Sequence, residues 1–209
     1  MILKKYSLKS MNWFKNSLKD SFIRKRNKNN LRSRAWFKLE ELDNYLKIFK
    51  KGMNIVDLGS SPGSWSQYAQ KKIGLTGSII ACDILPMKKI SNVIFVLGDI
   101  SNFLIFEKLV SLSKNKICNV IMSDIAPNIS GISIIDNEKF FYLCDVVLNV
   151  AFKILDKNGI LIFKLFQGVG FKEYLKKIFK HFVIVKIFKP NSSRANSREV
   201  FIIASQRKI

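Results

Sequence analysis

The stretch Asp57-Leu58-Gly59-Ser60-Ser61-Pro62-Gly63-Ser64-Trp65 decides the fold. The largely apolar run Met53 to Val56 precedes it and reads as a buried strand, and Ser66 to Lys72 follows as a helix. A strand, a tight glycine-bearing turn and a helix start form the phosphate or nucleoside pocket of many α/β proteins. Here the loop opens on a carboxylate. Pro62 stands where a phosphate cradle would want a backbone N–H.

Working outward, the chain alternates regularly. Ser33 to Lys47 carries Ala35, Trp36, Leu39, Leu42 and Leu46 at helical spacing, and Lys51-Gly52 should close that helix. Met53 to Leu58 is a strand, Ser64 to Ile73 a helix, Ser78 to Asp83 and Asn92 to Leu97 strands, and Asn102 to Ser113 a helix. Ile117 to Ser123 is the fourth strand. Glu138 to Leu155 reads as a long helix stopped at Asn158-Gly159, and Ile160 to Lys164 as the fifth strand. A helix over Phe171 to Phe179 leads to the strands Phe182 to Phe188 and Glu199 to Ala204. With no helix between them, these two should pair antiparallel. The near-continuous apolar strands predict an α/β, Rossmann-like fold: a seven-stranded, mostly parallel sheet with an antiparallel last strand and helices on both faces. The polar, glycine-bearing run Asn128 to Asp136 is expected to be a loop over the site.

The chain has 209 residues, enough for one domain with a small extension. Its charge is unusual: 36 Lys+Arg against 15 Asp+Glu, net +21. Such a field attracts polyanions, nucleic acid first. General enrichment in Lys, Asn, Ile and Phe would also raise the charge, but the bases are unevenly placed. Residues 1–38 carry Lys4, Lys5, Lys9, Lys15, Lys19, Arg24, Lys25, Arg26, Lys28, Arg32, Arg34 and Lys38 against one acid, Asp20, with Trp13, Phe14, Phe22, Trp36 and Phe37 interleaved. Bases in that number suit a solvated face meeting phosphates, and the aromatics anchor it or stack on bases. They argue for order from residue 13 onward. Residues 1–30 are read as a basic, RNA-contacting extension and residues 31–209 as the catalytic domain.

Cys82, Cys118 and Cys144 lack CxxC spacing and read as buried free thiols of a reducing compartment. With one histidine, His181, and no cysteine pair, no metal site is expected, and His181 reads as structural. No uncharged stretch reaches the roughly 18 residues of a membrane span. The N-terminus has no apolar segment of signal-peptide type. The expectation is a cytoplasmic monomer with no membrane partner.

In an open parallel sheet, ligands bind at the carboxyl ends of the strands. Here the strands end on or run into Asp57, Asp83, Asp99 and Asp124. One such acid is an ordinary turn former; four on one rim suggest a ligand. Neither G-x-G-x-x-G nor G-x-x-x-x-G-K-[ST] is present, and carboxylates would repel phosphate. They suit a phosphate-free ligand with ribose hydroxyls and positive charge, and S-adenosylmethionine has both. Asp83 can accept from the ribose, Asp99 from the adenine amino group, and Gly59 and Gly63 admit the backbone to the amino-acid end. Lys164, amid Ile162, Phe163, Leu165 and Phe166, is costly unless paired or functional. Strand order should bring it beside Asp124. From spacing alone, a structural ion pair explains it as well as a functional lysine does. Glu199 opens the last strand after the basic run Arg194 to Arg198.

Together, Leu31 to Leu39 (LRSRAWFKL), Asp57 to Trp65, Ser123 to Gly131 (SDIAPNISG), Lys164 to Gly168 (KLFQG) and Lys189 to Glu199 (KPNSSRANSRE) resemble the FtsJ family, from about residue 10 to the end. These are S-adenosylmethionine-dependent ribose 2′-O-methyltransferases. The resemblance implies a catalytic tetrad at Lys38, Asp124, Lys164 and Glu199; Lys164, when neutral, is the expected base. It implies cofactor contacts at Gly63, Trp65, Asp83, Asp99 and Asp124. The one departure is Val169, where a polar or acidic residue is expected; it lies outside the tetrad. The basic, tryptophan-bearing N-terminal part resembles the bacterial ribosomal members, which act on a uridine of 23S ribosomal RNA in the large (50S) subunit. The alternatives are a transfer-RNA ribose 2′-O-methyltransferase and a non-catalytic RNA-binding ribosome assembly factor. An N-methyltransferase would show Asn/Asp-Pro-Pro-aromatic after the fourth strand, and Asp124-Ile125-Ala126-Pro127 does not fit.

Overall fold

Strand β1 (Asn54–Leu58) is flanked by β2 (Ser78–Asp83) on one side and β4 (Cys118–Ser123) on the other, both parallel to it. The computed structural model describes residues 25, 27–114, 117–128, 130–194 and 196–208; the extension's Trp13, Phe14, Phe22 and most of its lysines lie outside the described residues. With β3 (Val93–Leu97), β5 (Leu155–Phe166), β6 (Phe182–Phe188) and β7 (Glu199–Arg207), the sheet has seven strands in the order β3-β2-β1-β4-β5-β7-β6. The first five strands are mutually parallel. β7 runs antiparallel to both β5 and β6, as the missing crossover helix requires.

Successive strand residues face opposite sides of the sheet, so the apolar runs feed two cores. Val56, Leu58, Ile121, Leu161 and Phe163 pack under α3 (Phe103–Ser113), α4 (Ser133–Ile154) and α5 (Phe171–His181). Ile55, Ile79, Val120, Met122 and Ile162 pack under α1 (Ala35–Leu46) and α2 (Ser64–Ile73). α2 buries Trp65, Tyr68, Ala69 and Ile73, the inward stripe of an amphipathic helix. Trp36 of α1 meets Tyr68 edge-on at 5.0 Å, and a fully buried aromatic of this size contributes about 1.5–3 kcal/mol by removal of its surface from water.

Three boundaries differ from the sequence reading. α1 ends at Leu46, not at Lys51-Gly52, because Lys47 turns left-handed (φ 52°). Buried Asp43 then takes over, accepting from the Ile48 and Phe49 amides at 2.9 and 3.1 Å and from the Tyr68 hydroxyl at 2.8 Å. α4 begins at Ser133, inside the expected loop, where the Asp136 carboxylate accepts from the Ser130 and Gly131 amides. It ends at Ile154, and β5 follows at once with a register irregularity, so Asn158-Gly159 lies within a strand. The pair sits in that irregularity, between the Leu155 and Ile160 pairings, and the Asn158 amide donates to Asp156 Oδ1 at 2.8 Å, so the local turn signal of Asn-Gly survives inside the strand. Cys82, Cys118 and Cys144 are free and buried, and the His181 ring packs on Phe152 at 4.8 Å.

Candidate active site

The β1–α2 loop is built to come close to its neighbours. Gly59 (φ 72°) donates to the Cys82 carbonyl at 2.9 Å, and a Cβ there would lie 2.9 Å from Ile125 Cα. Only glycine accommodates both the left-handed backbone and that contact. Gly63 (φ 100°) precedes α2. Beside it the Arg32 guanidinium donates to the carbonyls of Pro62, Lys88 and Lys89 at 2.9, 2.7 and 2.9 Å. Arg32 thereby joins the entry to α1, the loop and the β2–β3 connection, a role that its place in a basic run concealed.

Two joined cavities open at the carboxyl ends of β1, β2 and β4. The larger, about 370 Å³, is lined by Asp83, Asp99 and Asp124 and by apolar side chains including Ile84, Leu85, Ile100 and Pro127. The smaller, about 190 Å³, shares Gly59, Ser61 and Asp124 with it and reaches Asp57 and Trp65. Three of the strand-end acids, Asp57, Asp83 and Asp99, are held by neutral donors. Asp83 accepts from the Ser61 and Leu85 amides, each at 2.8 Å, and Asp99 from the Ser101 amide and hydroxyl at 2.8 and 2.7 Å. Asp57 accepts from the Ser66 hydroxyl at 2.6 Å. Burial, with Asp124 and Asp83 adding repulsion, pushes the Asp57 carboxyl up to about 7 despite that hydrogen bond. Burial likewise pushes the Cys82 thiol up to about 12, so it is no nucleophile at neutral pH.

The sequence-predicted cofactor residues divide. Asp83, Asp99 and Asp124 line the large cavity and Trp65 the small one. The Trp65 indole N–H is already used on the Ala35 carbonyl at 2.9 Å, and its ring lies 5.3 Å from Phe201. Gly63 lies outside both linings, covered by Arg32 and Met87. The residues fit the predicted donor. Carboxylates face hydroxyls and a cationic centre, the apolar wall suits a base, and the buried Ser60 hydroxyl on the small cavity has no partner among the described residues. Among the described residues no group of His, Cys, Asp and Glu could hold a metal, and no helix is long and apolar enough to cross a membrane.

Asp124 belongs to a second cluster as well. Lys164, 8 % exposed, donates from Nζ to the Asp124 carbonyl at 2.7 Å and lies 2.9 Å from Oδ1 of its carboxylate. Lys38 of α1 lies 3.7 Å from the other carboxylate oxygen and 2.9 Å from Glu199. Glu199 also accepts from the Ser193 hydroxyl at 2.7 Å. Burial raises the Glu199 carboxyl, but the hydrogen bond and charge of Lys38, then Ser193 and Lys164, outweigh it and hold it below the ordinary carboxylate range. Lys38 and Lys164 lie 5.7 Å from the Phe201 and Phe166 rings, respectively, and so meet π-faces at cation–π distance. All four predicted tetrad residues therefore form one ion-paired chain, Glu199–Lys38–Asp124–Lys164, contributed by β7, α1, the end of β4 and β5.

Sequence reasoning missed the frame around this chain. Glu41 of α1 accepts from the Asn191 and Ser192 amides at 2.7 and 2.9 Å, and Arg34 donates to the Ser192 carbonyl at 2.6 Å. These contacts span about 150 residues of chain, and no local pattern announces them.

A model of the FtsJ-like methyltransferases matches residues 31–207. The protein named ribosomal RNA large subunit methyltransferase E of Buchnera aphidicola subsp. Cinara cedri is 56 % identical over 204 residues, covering 98 % of each chain. Its namesake from the Schizaphis graminum subspecies is 46 % identical over 206 residues, covering 99 % of this chain and 100 % of its own length. Among solved structures, a ribosomal RNA methyltransferase from Plasmodium falciparum superposes with TM-score 0.74 at 29 % identity, covering 83 % of this chain and 97 % of its own. Fibrillarin from Aeropyrum pernix, solved with bound S-adenosyl-L-methionine, superposes with TM-score 0.54 at 17 % identity over 74 % of this chain and 67 % of its own, a likeness of fold. Family match, near full-length relatives and the ion-paired chain at the head of the sheet agree: the chain belongs to the FtsJ-like methyltransferase family.

Proposed function

We propose that this protein transfers a methyl group from S-adenosylmethionine to the ribose 2′-hydroxyl of a uridine in 23S ribosomal RNA of the large (50S) subunit. The observation that carries it is the junction at Asp124. At that one carboxylate an acid-lined cavity suited to a cationic nucleoside meets the ion-paired lysines Lys38 and Lys164. The names of the near full-length relatives support the ribosomal target. Residues 31–209 form the catalytic domain on this reading and residues 1–30 the RNA-contacting extension. The family match beginning at residue 31 supports that boundary. The protein acts in the cytoplasm as a monomer, away from membranes.

Trp65, Asp83, Asp99 and Asp124 hold the cofactor, with Gly63 shaping the loop rather than lining the cavity; when bound, the cofactor supplies an electrophilic sulfonium methyl. The chain's own work is to orient the hydroxyl and take its proton. Lys164 Nζ donates to the Asp124 carbonyl at 2.7 Å and lies 2.9 Å from its carboxylate, which together hold the amine in place. When neutral, Lys164 receives the 2′-hydroxyl proton. Asp124 orients it. Lys38, held by Glu199, places the ribose oxygens. Fixed alignment of the two reactants supplies much of the rate, and a positioned base adds about 10²–10⁴-fold.

The test is transfer of labelled methyl groups to large subunits that lack the modification, followed by mapping of the methylated riboses. One 2′-O-methyluridine in 23S ribosomal RNA is expected. Transfer to transfer RNA alone, or subunit binding without transfer, overturns the proposal.

A further inference from the structure

Beside the tetrad lies a third cavity, about 270 Å³, lined by Arg34, Lys38, Ser192, Arg194 and Glu199 among others. We propose that it is a phosphate subsite, receiving a backbone phosphate next to the acceptor ribose. This rests on the RNA methyl-transfer reading above and specifies how the acceptor strand is held.

Charge is the first observation. Three cationic side chains face one carboxylate, and that carboxylate, Glu199, is already paired with Lys38 at 2.9 Å. The surplus is positive, opposite to the acid-lined cavity across Asp124.

The second is an unsatisfied donor. Ser192 is fully buried on the cavity wall, and its hydroxyl has no hydrogen-bond partner among the described residues. A buried hydroxyl without a partner costs about 1–3 kcal/mol, so a position that keeps one invites a ligand. Its backbone is held from both sides, the amide by Glu41 and the carbonyl by Arg34. Only the hydroxyl is left over, on a rigid support. A hydroxyl donor in a lining that also carries two guanidinium groups matches a phosphate oxygen. The lining holds no aromatic ring for a base to stack on.

The third is position. Lys38 and Glu199 belong both to this wall and to the tetrad. A phosphate seated here lies within one nucleotide of a ribose at Lys164.

The test measures binding of unmodified 23S ribosomal RNA across salt concentrations, its KM in methyl transfer, and separately the affinity for S-adenosylmethionine. Arg194→Gln should weaken RNA binding about tenfold, as loss of a charged hydrogen bond does. It should lower the log–log salt slope by about 0.7, the value for one single-strand phosphate. Ser192→Ala keeps both backbone clamps and removes a hydroxyl idle in the free protein. It should leave the melting temperature unchanged or raised, and increase the KM for RNA about three- to tenfold. Cofactor affinity should not move in either variant. An unchanged salt slope for Arg194→Gln, or an unchanged KM for Ser192→Ala, overturns the subsite. If the wild type methylates no ribose, the functional reading fails, while the salt slopes still decide whether a phosphate sits here.

Discussion

The two halves of the sheet's carboxyl rim use the same residue types to opposite ends. On the β1–β2–β3 half, Asp83 and Asp99 are braced by backbone amides and hydroxyls, neutral donors that position a carboxylate without cancelling its charge. On the β4–β5–β7 half, Asp124 and Glu199 are braced by Lys38 and Lys164. The first half therefore presents negative charge to a ligand, and the second a nearly balanced network of ion pairs. A carboxylate's role is set by what holds it, not by its place at a strand end. Asp124 faces both ways, which makes it the hinge of the comparison.

The largest expected effect comes from removing the base. Lys164→Ala should lower kcat by about 10²–10⁴-fold while leaving cofactor affinity, measured by calorimetry, within a factor of two to three on the order of experimental spread. Near-normal turnover would sink the base assignment. Asp124→Asn should damage both halves at once. Breaking a buried ion pair by removing one partner costs about 3–5 kcal/mol when uncompensated, so the variant should lose turnover, cofactor affinity and thermal stability together. Loss of turnover alone would show that Asp124 serves only the lysines.

Asp83→Ala sharpens the comparison from the other side. It strands the Ser61 and Leu85 amides and removes a cavity carboxylate. Cofactor binding should weaken by about 1–3 kcal/mol, with RNA affinity in the absence of cofactor untouched. Direct binding measurements with each ligand separate the two.

The most specific effect is the pH response of Asp57. Its carboxyl sits near 7 when folded, well above the ordinary Asp value, so between about 4 and 7 the folded state binds a proton that the unfolded chain has released. The Asp57 contribution to stability should be full below pH about 4 and fall as pH rises, levelling off above about 7. Asp57→Asn should flatten that part of the melting-temperature profile. A cationic ligand favours the ionised carboxyl, so wild-type cofactor affinity should rise through the same window and the variant's should not. Parallel profiles for the two proteins would contradict the burial argument.

Much of this molecule was readable along the chain because its signals are local. Apolar runs of strand length, glycines at Gly59 and Gly63 and acids at strand ends announce a parallel sheet with a pocket at its head. The missing phosphate-loop glycines turn that pocket toward a cationic nucleoside. The boundaries that were misread, Lys47, Ser133 and Asn158-Gly159, turn on short-range side-chain contacts that residue type alone does not announce: Asp43 accepting from the Ile48 and Phe49 amides, Asp136 from the Ser130 amide and Asp156 from the Asn158 amide.

Residue types and the motifs that carry them were thus set by the sequence alone, together with the excess of positive charge. Tertiary structure decided which charges meet. Lys38, Asp124, Lys164 and Glu199 are spread over most of the chain and converge only because β7 enters the sheet antiparallel beside β5 and α1 packs over its end. The same convergence buries the Ser192 hydroxyl between the Glu41 and Arg34 clamps. Ion pairing and burial act over a few ångströms of space, whatever the separation in sequence, so no reading along the chain could assign them.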